Sequence, residues 1–209
     1  MRRRLLPFLL AALVAAACSA KREKEKDKDA PRPPIASAEV PTFTWPVPAG
    51  WRSETIPFPL EFAPDIPHRG VEELRFAPGF FDPAAPGYWT YAFAWVVTGE
   101  HPLDNSTLAR ELTAYFRGLT AAVAAGKKDL PAPDLARIEA RLGPDGRGAV
   151  HTFDAFGDGR AIDLDVAVAA LPCGAGKAVL VTAARRGQAS LSPSVDQVVG
   201  AFRCPPVPR

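Results

Sequence analysis

The sequence predicts an α+β fold: a central, mostly antiparallel sheet flanked by two helices, layered as an α/β/α sandwich. Three observations predict it. The extended and helical patterns fall in the order strands, helix, four strands, helix. Two Asp-Gly pairs, Asp145-Gly146 and Asp158-Gly159, mark hairpins inside the four-strand block. Tyr88–Val97 is apolar on both faces, as befits a strand in a sheet covered on both sides. With 209 residues, 47% of them hydrophobic, the chain can fill one core, and length favours a single domain over residues 40–209.

Residues 1–17 read as an export signal. Arg2, Arg3 and Arg4 form a positive start, and Leu5–Ala17 is a 13-residue, mostly apolar run. A helix needs about 20 residues to cross ~30 Å of hydrocarbon, so this run is too short to span. Val14-Ala15-Ala16-Ala17-Cys18 resembles the bacterial lipobox, with Ala15 where Leu is usual. The resemblance implies that the Cys18 thiol receives diacylglycerol, that the peptide is cut before it, and that the new amine takes a fatty acid such as palmitate. Ser19 follows, where Asp would resemble an inner-membrane retention signal. The resemblance therefore implies the outer membrane, with the domain facing the periplasm. An ordinary signal peptidase cutting after Ala17 or Ala20 is the alternative.

Residues 18–39 read as the lipidated cysteine and a tether. Lys21–Asp29 holds no apolar residue and cannot bury enough surface to fold. Pro31, Pro33 and Pro34 bias the end of this stretch toward extended conformations. The 21 residues after Cys18 reach on the order of 70 Å when fully extended. A basic patch for anionic lipid is the other reading, weakened by the interleaved acids.

From Val40 the texture turns aromatic and apolar. Thr42–Val47 and Thr55–Ala63 look extended but are broken by Pro46, Pro57 and Pro59, which places them at a sheet edge or in irregular stretches. Glu72–Phe76 is a short strand. Along Tyr88–Val97, one face carries Trp89, Tyr91, Phe93, Trp95 and Val97; the other carries Tyr88, Thr90, Ala92, Ala94 and Val96. The smaller face lets a helix approach closely. Asp104–Thr107 can cap a helix that Gly126 ends, with Leu108, Leu112, Tyr115, Phe116, Leu119 and Val123 as its apolar stripe. Asn105-Ser-Thr107 also matches a glycosylation acceptor, but in a bacterial export context capping is the stronger reading.

Two-residue loops centred on the Asp-Gly pairs fix a register. Ile138 then faces Phe153, which faces Leu164, with Ala140, His151 and Val166 on the same side. Arg137, Asp154 and Asp163 share the opposite side, with Asp154 directly against Asp163. Lys177–Ala184 is a fourth strand. Ser192-Pro193 starts a last helix that buries Val195, Val198, Val199 and Phe202.

Pro48-Ala-Gly-Trp51, the element order and the closing Val198-Val-Gly-Ala-Phe202 together resemble the PsbP-like and DcrB-like family of small exported proteins. The resemblance covers most of residues 42–203 and departs in the Pro59–Pro86 insertion. It implies the fold; since members differ in function, it implies no functional residue.

Outside the first 32 residues, 16 basic side chains stand against 19 acidic ones, which argues against a nucleic-acid surface. HExxH, GxSxG, CxxC and P-loop patterns are absent, and Gly174-Ala-Gly-Lys177 reads as a turn. His68 and His101 sit beside prolines and read as exposed; His151 reads as a core histidine. Asp154, Asp158, Asp163 and Asp165 gather near the second hairpin turn, where a hard cation could offset the Asp154/Asp163 opposition. Arg137 making a surface charge ladder is the simpler reading.

Phe80 and Phe81, in a Pro/Gly-framed loop, could join Trp89 and Tyr91 in a hydrophobic binding surface, or fold back and plug the core. With Cys18 acylated, Cys173 and Cys204 remain as an even pair at two junctions, favouring a disulfide over free thiols or a metal pair. The sequence thus points to a lipid-anchored envelope lipoprotein with a non-catalytic binding or scaffolding domain. Its expected partners are the membrane, through the anchor, and an envelope protein, with no cofactor. A cation-dependent protein or enzyme using the Asp154/Asp158/Asp163/Asp165 cluster is the alternative.

Overall fold

In the computed structural model, residues 40–127, 129–188, 191 and 193–205 are described; Cys18, the export signal, the tether and Ser192 lie outside them. Among the described residues, seven strands form one sheet: β1 (Arg52–Pro57), β2 (Arg69–Phe76), β3 (Tyr91–Thr98), β4 (Glu139–Leu142), β5 (Arg147–Phe153), β6 (Ala161–Cys173) and β7 (Gly176–Arg185). Their spatial order is β1-β2-β3-β7-β6-β5-β4, and every neighbouring pair is antiparallel. Helix α1 (Asn105–Ala125) follows β3, and a short helix α2 (Val195–Val199) follows β7. The fold is mixed α+β and mostly sheet, in the expected element order.

β3 is central and buried over Tyr91–Val97, so both its faces need cover. Tyr91, Phe93, Trp95 and Val97 meet Leu108, Leu112, Tyr115 and Phe116 of α1 in the larger core. The Phe93 and Tyr115 rings stack there at 5.1 Å. On the other face, Ala92, Ala94 and Val96 pack with Trp45, Trp51, Val198 and Phe202. Small side chains on that side leave room for the closing segment, as the sequence predicts.

Helix α1 begins at Asp104, whose carboxylate accepts from Ser106 N and Thr107 N, satisfying donors the first turn leaves free. These bonds hold the Asp104 carboxyl well below the usual range. In mid-helix, Gly118 lets α1 approach the backbone of Phe62: a Cβ there would lie 1.8 Å from the Phe62 carbonyl oxygen.

Four segments refine or depart from the sequence reading. First, Thr42–Val47, read as sheet edge or irregular, is irregular: only Thr44 pairs, with Arg203. Prolines 41, 46 and 48 remove the donors a ladder needs there. Arg75 holds this segment instead, donating to the Trp45 and Pro46 carbonyls while its guanidinium lies over the Trp45 ring. Second, β1 ends at Pro57, although its place at a sheet edge agrees with the prolines.

Third, α2 is capped by Ser194, not Ser192. Gln197, three residues on, answers Ser194 with a reciprocal bond, and this capping box sets the start.

Fourth, the hairpin register shifts by an odd number at both turns. Gly143 pairs with Arg147 around a three-residue loop, Pro144-Asp145-Gly146, in which Gly146 takes φ +74°. The second loop is longer, closed by Asp154 N donating to Arg160 O at 2.8 Å. β5 therefore flips relative to both neighbours. Ile138, Ala140, Leu164 and Val166 keep the core face, but Val150 and Thr152 join them in place of His151 and Phe153. Phe153 is only half-buried.

Candidate functional site

The residues singled out in the sequence scatter. Asp163 lies opposite His151, with Nδ1 and Oδ1 3.0 Å apart, and also meets Arg186. Asp165 pairs with Arg186 at 2.8 Å, and exposed Asp158 with Arg160 at 3.5 Å. Asp154 turns inward from its loop and is 4% exposed. It accepts from Tyr88 Oη, Trp89 Nε1 and Gly157 N. The expected Asp154–Asp163 opposition is thus corrected by the flipped register and the longer loop. Among the described residues, no three His, Cys, Asp or Glu side chains converge as metal ligands.

The aromatic loop folds back on the core. Phe80, Trp89 and Tyr91 are buried, and Phe80 meets Phe76, Tyr91 and Phe156 edge-on or tilted. Phe81 alone of the four stays half exposed, with Arg52 over its ring. Plugging, rather than an open aromatic groove, accounts for Phe80, Trp89 and Tyr91. Cys173 and Cys204 form a disulfide with Cα atoms 4.9 Å apart, which joins the end of β6 to the segment after α2.

A cleft of about 280 Å³ lies beside the first turns of α1. Asp65, Ile66 and Pro67 line it from the β1–β2 connection, His101 from the turn after β3, and Arg110 and Glu111 from α1. Helical spacing puts Glu111 there, because it follows Leu108 by three and precedes Tyr115 by four, on the face that packs against the sheet. Glu111 is 8% exposed, and its Oε2 lies 3.0 Å from Nε2 of buried His68. The His68 ring is edge-on to Phe58 at 5.7 Å and to His101 at 5.8 Å. The expectation of an exposed His68 is corrected: Pro67 turns the chain, but Glu111 draws the ring inward. His151, expected in the core, sits half-buried on the opposite face of the sheet through the register shift.

Two histidines 33 positions apart give no ligand spacing, so the sequence alone did not join them. The readable signal was Glu111, an acid inside the apolar stripe of an amphipathic helix.

A second buried acid lies deeper. Glu72 on β2 is fully buried, and Trp95 Nε1 donates to its Oε1 at 3.2 Å. Burial pushes the carboxyl up to about 8, against the lowering effect of hydrogen bonds from Trp95 and Tyr115. The hydroxyls of Tyr91 and Tyr115, buried in the same core, are pushed well up by burial and by the charge of Glu72. Glu72 does not reach the cleft lining, so the cleft carries the candidate site. The chain matches no protein-family model, no curated protein and no solved structure.

Proposed function

We propose that the chain is a lipid-anchored lipoprotein of the bacterial cell envelope, fixed at Cys18, whose folded domain binds or scaffolds rather than catalyses. The observation that supports it best is the Cys173–Cys204 disulfide. Such bonds persist in oxidising compartments, the kind an export signal over residues 1–17 leads to. The charged, Pro-rich residues after Cys18 suit a tether to the outer membrane, with the domain on the periplasmic side. A seven-stranded antiparallel sheet with two helices is compatible with a PsbP-like sandwich, the family we assign it to by resemblance. Within the domain, a cleft lined by Ile66, Pro67, Pro102 and Ala114 as well as Asp65 and Glu111 suits binding.

Labelling in growing bacteria with a fatty-acid probe tests the anchor. The wild type takes the label and fractionates with membranes, and Cys18→Ala does neither. Unlabelled, soluble wild-type protein would overturn the proposal.

A further inference from the structure

We infer that β1 is a proton-latched flap: loss of the Glu72 proton releases this edge strand from the sheet while the rest of the fold stays closed. The geometry around Glu72 carries the inference. Its side chain is fully buried, with Trp95 Nε1 donating to Oε1 at 3.2 Å. Glu72 Oε2 and the Tyr91 hydroxyl are sealed from solvent and have no partner at hydrogen-bond geometry among the described residues. The groups that face the carboxyl are Tyr91 and Trp95 from β3, Tyr115 from α1, and Ile56 and Glu54 from β1. None of them is a cation. His68, from the β1–β2 connection, lies against the Trp95 ring at 5.5 Å and turns its Nε2 to Glu111 of α1. Arg69 and Arg75, the cations on the same strand, occupy alternate positions that face the other side of the sheet. A carboxylate formed at Glu72 gains no counter-charge there, so it must reach water.

Of the elements around the carboxyl, β1 yields most readily. It is the sheet edge and pairs with β2 alone. Five of its six residues are exposed; the sixth, Ile56, is partly buried and stands directly opposite Glu72. Glu54 shares that face two positions away, and its charge opposes a second negative charge at Glu72. Ionisation therefore pushes on the strand that is held least. Trp51 and Phe58, buried on either side of β1, pin the flap at both ends. By contrast, β3 is buried between two neighbours, and α1 sets Leu108, Leu112, Tyr115 and Phe116 into the larger core. Local opening draws on segments with few buried contacts, and β1 is such a segment. Burial holds the carboxyl at about 8, whereas a carboxyl in water ionises near 4.5. The proton thus favours the closed flap. The open fraction grows about tenfold per pH unit between those two values and levels off above them.

Backbone amide exchange in the full-length chain in detergent, read by mass spectrometry across that pH range, tests the flap. Each segment's rate is divided by that of an unstructured peptide at the same pH. The β1 amides are expected to lose about tenfold of their protection per pH unit up to about 8. They stay less protected than the β6 and β7 amides throughout, and Glu72→Gln makes their protection level with pH. Level protection of β1 in the wild type, with a slope in β6 and β7, would mean that Glu72 reaches water only by global unfolding. That result overturns the flap. So does exchange of β1 in step with β6 and β7 at equal protection, or a local slope confined to residues 58–67 or to α1. A β1 slope that persists in Glu72→Gln also overturns it. The wild-type comparison decides the matter by itself should Glu72→Gln fail to fold.

Discussion

Trp89 donates its indole Nε1–H to Asp154 Oδ1 at 2.8 Å, tying the approach to β3 to the loop between β5 and β6. Trp89 holds φ +54°, in the left-handed region that costs a bulky residue about 1–2 kcal/mol. Its bond to Asp154 and its contact with Phe156, ring centroids 4.7 Å apart, hold it there. Tyr88 donates to the same oxygen, and burial with this bond raises the Tyr88 hydroxyl well above its ordinary range. One carboxylate thus organises both segments.

Asp154→Ala strips three donors of their acceptor, and a loss of about 3–5 kcal/mol is expected in denaturant unfolding. Asp154→Asn keeps one acceptor oxygen and costs less. A loss below about 1 kcal/mol for the alanine variant, no more than one ordinary hydrogen bond, would contradict this role.

The register makes its own prediction. Leu164 is fully buried in the larger core, whereas Phe153 is only half-buried at its margin. Leu164→Ala is expected to cost about 2–5 kcal/mol, and Phe153→Ala less despite the larger side chain. The reverse ranking in urea melts would restore the register read from two-residue turns.

How far the sequence could be read depends on where the information lies. The two-faced pattern of β3, the Asp104 cap and the stripe on α1 are local, and each was legible. The register was not, because Gly146 supports two-residue and three-residue loops alike, and one residue reverses a strand. Phe153 looked like the better core residue than Thr152. Yet Thr152 Oγ1 finds Thr120 Oγ1 of α1 at 3.1 Å, which lets a hydroxyl into the core. The His68–Glu111 pairing depends on how a proline-rich connection lies over α1, and no local pattern encodes that.

Glu72 gives stability a pH dependence. Its carboxyl stays protonated in the fold up to about pH 8, while an unhindered one ionises near 4.5. The unfolded chain sheds that proton first, so this contribution falls as pH rises from about 4.5 to about 8 and then levels off. The loss is on the order of a few kcal/mol. Glu72→Gln stays neutral and keeps an acceptor for Trp95. Its stability relative to the wild type should rise across that window, and parallel melting curves would exclude this role for Glu72.

The disulfide closes a loop with a separation of 31 residues. Chain entropy gives such a bond about 3–4 kcal/mol. Cys204→Ser is expected to lose about that much, as is the reduced wild type, with little further loss when the variant is reduced. A variant that unfolds at the same denaturant concentration as the oxidised wild type would remove the bond from the account.

We propose an exported chain, anchored at Cys18 and closed by Cys173–Cys204. The decisive measurement is the intact mass of the protein isolated from bacterial membranes without reductant. The expected species begins at Cys18, carries diacylglycerol and an amide-linked fatty acid, and gains two hydrogens on reduction. A chain that begins at Met1, or an unmodified one with Cys173 and Cys204 both open to alkylation, would contradict it.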